Sequence, residues 1–242
     1  MTGSVLITRP RPAAVLLRTG LALQGLGAVI APVLVLAAKI PPQLALSHYD
    51  AVMFSSAAAV RHLPYAQLPT GWEEWPCYCV GASTAQQARL QGWRHVVSAG
   101  GDAVALAAMV VAQRPEGGSL LHPCGEDHRA ELKVLLKDAG YQYEAWVVYQ
   151  AQAVAELPKA ALQALRTRQL WAATFFSPRS VQIFAMLVHA AQMESLCEPL
   201  AAVCLSPQIA TEAAELPWRR VISAAVPEEG ALLTSLQNLL RQ

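Results

Sequence analysis

The chain has 242 residues, 54% of them hydrophobic and 14% charged, so it can bury a sizeable core and is not a disordered segment. Lysine and arginine number 18 against 17 aspartates and glutamates, which argues against the basic excess of a nucleic-acid or anionic-membrane surface. An anionic ligand would have to be held by local groups rather than by a global field.

The first strand is predicted over 4–8, within VLITRP (5–10), where Arg9 follows the apolar run and Pro10 turns the chain. Residues 19–38 carry no charge, but Gln24, Pro32 and three glycines interrupt them. Their spacing predicts a helix ending near Gly27 and a buried strand over 29–36, not a membrane span. No basic segment with a cleavage site precedes them, so a cytoplasmic protein without a secretory signal is expected. In that setting the five cysteines, scattered apart from Cys77 and Cys79, read as reduced core thiols.

Further strands are predicted over 51–55, 77–81 and 95–98, then a helix over 102–113. Strands follow over 119–122, 143–149, 171–176, 201–205 and 220–223, and a helix over 229–241 closes the chain. Nearly continuous apolar strands alternating with helices predict parallel sheets covered on both faces. The expected fold is α/β, with two doubly wound domains of about a hundred residues each.

The elements recur. GWRHVVSAG (92–100) matches PWRRVISAA (217–225), and VGASTA (80–85) matches LSPQIA (205–210), both 125 positions apart. FSSAAAV (54–60) matches FFSPRSV (175–181) at 121 positions, and VLITRP is loosely echoed by SLLHPCG (119–125). Four pairs in one order describe two copies of a unit.

In each copy two strands run into small polar turns that open helices. These turns hold Ser55, Ser56 and Ala57; Gly81, Ser83 and Thr84; Ser177 with Pro178; and Ser206 with Gln208. Any one of them is explained by capping, since a serine oxygen satisfies a helix-terminal N–H and proline suits the first helical position. As a set they lie beyond the carboxyl ends of parallel strands, where helix N-termini receive carboxylates or phosphates. Arg9, Arg129 in GEDHRAEL and Arg179 could grip an anion there, or simply face solvent. Gly125 would let a ligand approach the backbone. His122, Cys124 and His128 are of metal-ligand type but lack a fourth partner, so no metal is expected. The sequence holds no G-x-S-x-G, Walker loop, G-x-G-x-x-G or H-E-x-x-H. Tyr149 closes AWVVY, and its phenol could donate a hydrogen bond or a proton.

VLITRP, FSSAAAV, VGASTA, VVYQ, FFSPRSV and LSPQIA, in this order and spacing, resemble the uroporphyrinogen-III synthase family along essentially the whole chain. Ser-Pro-Arg and Cys-x-Ser-Pro look like the form found in some bacterial lineages. The resemblance implies a hydro-lyase of tetrapyrrole and haem biosynthesis. It would close hydroxymethylbilane to uroporphyrinogen III, with loss of water and inversion of ring D, and without a cofactor. Tyr149 is similar in context to the tyrosine proposed to assist hydroxyl departure. Thr8 and Arg9 match the family's strand-end Thr-Arg, Ser55 and Ser56 its first turn, Ser83 and Thr84 its second, and Ser177 the serine of the other domain. Where the family often has Gly-Pro-Thr-Thr this chain has Ser206-Pro207-Gln208-Ile209, and Ala58 stands where Asn is common. Any role of those hydroxyls and that amide is not transferable.

The resemblance further implies flavodoxin-like or HUP-like domains, a discontinuous one (1–35 with 150–242) and an inserted one (36–149). Two hinge strands, near 31–37 and 146–151, would join them, with a ligand cleft between. The substrate implied is a polycarboxylate tetrapyrrole; a near-neutral surface and a hinged cleft suit a monomer, and the charge balance suits no nucleic-acid or membrane partner. A transient contact with the preceding pathway enzyme is left open. Two competing readings remain: a non-catalytic two-domain protein that closes on a small anion, and a flavodoxin-like nucleotide enzyme lacking a phosphate loop.

Overall fold

The computed structural model describes residues 3–241. In chain order its strands are β1 (Ser4–Ile7), β2 (Gly27–Ile30), β3 (Leu34–Ala38), β4 (Ala51–Phe54), β5 (Pro76–Cys79), β6 (His95–Ser98), β7 (Ser119–Gly125), β8 (Gln142–Ala153), β9 (Leu170–Phe175), β10 (Ala201–Cys204) and β11 (Arg220–Ser223). The helices are α1 (Ala13–Leu23), α2 (Ala57–His62), α3 (Ala82–Leu90), α4 (Ala103–Gln113), α5 (Glu131–Asp138), α6 (Lys159–Arg166), α7 (Pro178–Ala190), α8 (Pro207–Ala213) and α9 (Glu229–Leu240). Strands and helices alternate around parallel sheets, as the sequence predicts.

The chain divides into two compact units. Unit 1 comprises the residues up to Val35 and those from Gln152 on; unit 2 runs from Leu36 to Ala151. The sheet of unit 1 has the order β11-β10-β9-β1-β2, with every neighbouring pair parallel. Unit 2 is built on the order β3-β8-β7-β4-β5-β6, parallel from β8 to β6. Five strands of each order correspond, with β1 between β9 and β2 as β7 is between β4 and β8, and only β3 at the edge of unit 2 has no counterpart among the described residues. The sequence repeat therefore describes one topology made twice, but with leading strands exchanged. β1 and β2 complete the sheet of β9 to β11, and β7 and β8 complete that of β4 to β6.

Burial follows the pleat. In β4, Ala51 and Met53 enter one core with Leu106, Leu120 and Leu132, while Val52 and Phe54 enter another with Trp93, Leu121 and Trp146. Side chains of successive strand residues point to opposite faces, so both faces of the sheet of unit 2 are packed. In unit 1, Val5 and Ile7 of β1 pack with Leu17 and Leu21 of α1 and with Leu232 and Leu236 of α9. The outer strands β2, β6 and β11 are less buried than β1, β4, β9 and β10.

Several boundaries differ from the sequence reading. The strand expected over 29–36 is two strands, β2 and β3, because Pro32 has no N–H to give a ladder. The chain between them is held instead by Ala31 N–H to Ile7 O and Val33 N–H to Thr8 O. Gly25, not Gly27, takes the left-handed conformation (φ 74°) after α1, and Gly27 already belongs to β2. β7 runs three residues beyond the expected 122, so Pro123, Cys124 and Gly125 are strand residues as well. β8 continues to Ala153, which leaves Tyr149 inside a strand and not at its end. Arg129 lies in the turn before α5, which begins at Glu131. Among the described residues, no helix is long and apolar enough to cross a membrane, and all five cysteines are buried free thiols.

Two of the serine turns differ in how they cap. Ser177 Oγ accepts from Ser180 N–H at 3.2 Å and closes on Ser180 Oγ at 2.8 Å. Ser206 makes no side-chain cap hydrogen bond at α8. Ser177→Ala is expected to lower the unfolding free energy by about 1 kcal/mol, and Ser206→Ala by less than half of that. Equal losses in urea titrations of the two variants would show that the cap bond at Ser177 carries no stability.

Candidate functional site

Within unit 2 a cavity of about 460 Å³ opens at the carboxyl ends of the strands. Ser55 and Ser56 after β4, the end of β7, Tyr149 on β8 and the starts of α4 and α5 line it. Its size lies within the range of about 300–1,000 Å³ usual for small-molecule sites.

The pleat decides which side chains meet on its floor. Met53 and Leu120 share one face of the sheet, and two residues further along each strand the same face carries Ser55 and His122. His122 is buried (1% exposed). Its Nε2 lies 2.8 Å from Ser55 Oγ and its Nδ1 2.5 Å from the hydroxyl of Tyr143 on β8. Burial, and secondly the neighbouring His128, push the His122 pKa down to about 3. Burial also raises the Tyr143 phenol above its ordinary value. A neutral imidazole between two hydroxyl groups therefore underlies Ser55, which is itself exposed.

Gly125 has a second reason to be glycine. A Cβ there would stand 2.6 Å from Tyr149 Cζ and 2.8 Å from its hydroxyl oxygen. The phenol ring thus lies across the backbone at the end of β7, where Gly125 pairs with Tyr149 through a register shift after Cys124. The same ring stacks on His62 at the end of α2, with ring centroids 5.7 Å apart and planes 30° apart. His62 has its pKa lowered by burial first and by Arg61 second.

Helix starts supply further polar groups. Ser56 Oγ caps α2 by accepting from Ala58 N–H at 3.0 Å. Asp102 Oδ1 caps α4 by accepting from Ala105 N–H at 3.0 Å. The His128 ring lies 3.0 Å, through Nδ1, from the Gly125 carbonyl oxygen. The walls are not cationic: Asp102, Glu126, Asp127 and Glu131 face the cavity with one arginine, Arg129. Glu126 is paired with Lys39, and Asp102 is balanced by the partial positive charge of its helix. An anionic group entering here would meet hydroxyl and N–H donors and Arg129, not a field of positive charge.

Of the residues singled out in the sequence, Ser55, Ser56, His122, Gly125, His128, Arg129 and Tyr149 come together on this cavity. Ala57 opens α2. Gly81 is the uncapped N-cap of α3, with Ser83 exposed and Thr84 buried in its first turn. The remaining candidates belong to unit 1. Thr8 has no exposed surface, and its hydroxyl donates to Thr174 O at 2.7 Å, so it ties β1 to β9. Arg9 reaches Glu229 at 2.5 Å and lies 4.2 Å over the Phe176 ring, so an incoming anion would compete with a carboxylate. Ser177 caps α7, Arg179 is exposed as its second residue, and Ser206 and exposed Gln208 open α8.

The sequence reading misses Tyr143, His62, Asp102 and Glu131, and sees His122 as a metal-ligand type within an anion-contacting turn. Strand periodicity could have paired His122 with Ser55, but their partner Tyr143 depends on the register of β7 against β8. His122 and His128 meet edge to face with centroids 6.1 Å apart. Among the described residues, no three histidine, cysteine or acidic side chains could hold a metal ion.

A family model described as uroporphyrinogen-III synthase HemD matches residues 17–234. Among solved structures, uroporphyrinogen-III synthetase from Helicobacter pylori is similar over 98% of this chain and 99% of its own, with a TM-score of 0.60 and 15% identity. A mutant uroporphyrinogen III synthase from the extremely thermophilic bacterium Thermus thermophilus aligns over 99% of both chains, with a TM-score of 0.50 and 16% identity. At these identities the likeness is one of fold. No curated protein sequence matches the chain significantly.

Two outcomes follow from the site. An unfolded-state histidine titrates near 6.5, so the lowered folded pKa of His122 gives stability present above that pH. It is lost as pH falls toward about 3, by about 1.4 kcal/mol per pH unit. Urea unfolding of unit 2 between about pH 6 and 4 should lose this slope in His122→Gln, by one proton's worth; equal slopes would mean a solvated ring. Gly125→Ala should push the Tyr149 ring off His62, read as a changed ring-current shift of the His62 ring protons. An unchanged shift would show that the ring does not lie over Gly125.

Proposed function

Since this chain belongs to the uroporphyrinogen-III synthase family, whose members are enzymes of tetrapyrrole biosynthesis acting on hydroxymethylbilane, we propose that it is a cyclising hydro-lyase. It removes the terminal hydroxyl as water and closes the ring with inversion of ring D, giving uroporphyrinogen III. The observation that carries this reading is the family match over residues 17–234, and the cavity of unit 2 supplies a chemistry that suits it.

Loss of the hydroxyl leaves a conjugated azafulvene cation and needs one proton delivered to the departing oxygen. The Tyr149 phenol is assigned that donor role, because its ring is held across Gly125 and against His62 beside the cavity. The carboxylates of Asp127 and Glu131 are assigned to the pyrrole N–H groups and to the positive charge of the cation. Ser55, Ser56 and Arg129 receive acetate and propionate arms. Ala57, Gly81, Ser83 and Thr84 in unit 2, and Thr8, Arg9, Ser177, Arg179, Ser206 and Gln208 in unit 1, are retained as further contacts. Thr8 would act through its strand-end backbone and Arg9 in exchange with Glu229. Ring closure itself asks for no nucleophile from the protein. The substituted carbon of ring D attacks, a spiro intermediate fragments and re-closes, and the protein contributes orientation against the unassisted closure. The chain is taken to act as a monomer in the cytoplasm.

Hydroxymethylbilane supplied to the purified protein should yield the type III porphyrin after oxidation. Type I alone, as in a blank without protein, would leave a binding protein as the better reading. Tyr149→Phe should slow turnover at least ten-fold, a loss of about 1.4 kcal/mol or more in the transition state, while product affinity changes little. Unimpaired turnover would return Tyr149 to a packing role.

A further inference from the structure

Ser55 is the point where a buried hydrogen-bond chain reaches the cavity. Tyr143, His122 and Ser55 are linked through 2.5 Å and 2.8 Å contacts at the two nitrogens of one ring. A neutral imidazole has one donor and one acceptor nitrogen, so the chain has two orientations. In one, Ser55 donates to Nε2 and Nδ1–H donates to the tyrosine oxygen. That leaves the O–H of Tyr143, a residue only 7% exposed, without an acceptor, since among the described residues its hydrogen-bond partner is the His122 ring. In the other, Tyr143 donates to Nδ1 and Nε2–H donates to Ser55 Oγ, so every buried group is satisfied. Buried donors are rarely left unmet, because nothing replaces the water they gave up. The second orientation is therefore preferred.

We propose that Tyr143 and His122 are positioning residues that fix Ser55 as a hydrogen-bond donor into the cavity, where its O–H takes a carboxylate oxygen of the ligand. With one lone pair of its oxygen accepting from Nε2–H, Ser55 keeps its O–H proton for the cavity instead of giving it to the ring. That proton is available to an anionic oxygen of the ligand. A buried ring suits this task better than an exposed one, for its protonation does not change across the neutral range. The donor orientation stands on the geometry alone, and its use on hydroxymethylbilane rests on the function proposed above.

Long-range proton–nitrogen NMR of histidine-labelled wild-type protein near neutral pH reads the orientation directly. The Nε2–H tautomer is expected for His122; the Nδ1–H tautomer or an imidazolium overturns the proposal. Steady-state kinetics with hydroxymethylbilane read the consequence. Ser55→Ala and Tyr143→Phe should each raise KM, Ser55→Ala by about ten-fold, with kcat within about two-fold. The double variant should be no worse than Ser55→Ala alone, because Tyr143 acts only through Ser55. Additive losses, or a fall in kcat at constant KM, would overturn it. If the wild-type protein does not turn over the bilane, the function is misassigned, and the tautomer still decides the orientation.

Discussion

The pairing of β1 with β9 is the contact on which the organisation of the chain depends. Four residues near the start lie parallel to a strand some 170 positions later, and the join is reinforced by side chains. Thr8 donates to the Thr174 carbonyl, and Thr174 Oγ1 lies 3.2 Å from the Leu6 carbonyl. Both threonines have no exposed surface, so these bonds lie in a dry interior where an unmet hydroxyl would be costly. With β1 committed to β9, the sheet of β4 to β6 is completed by β7 and β8, and that arrangement brings His122 and Tyr149 to the cavity.

The cavity of unit 2 is a candidate site assembled without a conspicuous motif. Its donors come from strand ends and helix starts, and its acidic groups are partly balanced, Glu126 by Lys39 and Asp102 by the start of α4. Gly125 matters for what it omits, since any side chain would displace the phenol of Tyr149. A substrate with carboxylate arms and pyrrole N–H groups presents both hydrogen-bonding senses, and a wall carrying hydroxyl donors beside carboxylate acceptors is complementary to it. Catalysis of this kind asks for shape and orientation more than for a reactive side chain. The high pKa of the buried Cys124 thiol, pushed up to about 12 by burial, agrees with that.

Much of the fold was legible because the central strands are buried on both faces and read as apolar runs: AVMF, LWAATF and AAVC needed no partner to be recognised. The serine turns were equally plain, since capping is local chemistry. Where the reading went astray, the cause was non-local. Pro32 splits the strand expected over 29–36 because a ladder donor is missing. β8 passes through Tyr149 because pairing, not local pattern, sets its length. Thr8 and Arg9, read as ligand contacts at a strand end, also have partners within the fold that no local pattern shows: Thr174 for the one, Glu229 and Phe176 for the other. The partnership of His122 with Tyr143 was invisible, for it requires the register of β7 against β8.

The interruption of unit 1 by unit 2 also bears on the order in which a ribosome can finish them. Every strand from β4 to β8 lies between Leu36 and Ala153, so unit 2 can close on itself once that stretch has emerged. β1, synthesised before the rest of its sheet, has no β9 to lie against until about 165 further residues have followed it. Long-range parallel pairing is slow to form and leaves strand edges open meanwhile. β1 is therefore among the last strands to be sheltered, and the apolar segment from VLIT onward is the stretch a nascent-chain chaperone would have reason to hold.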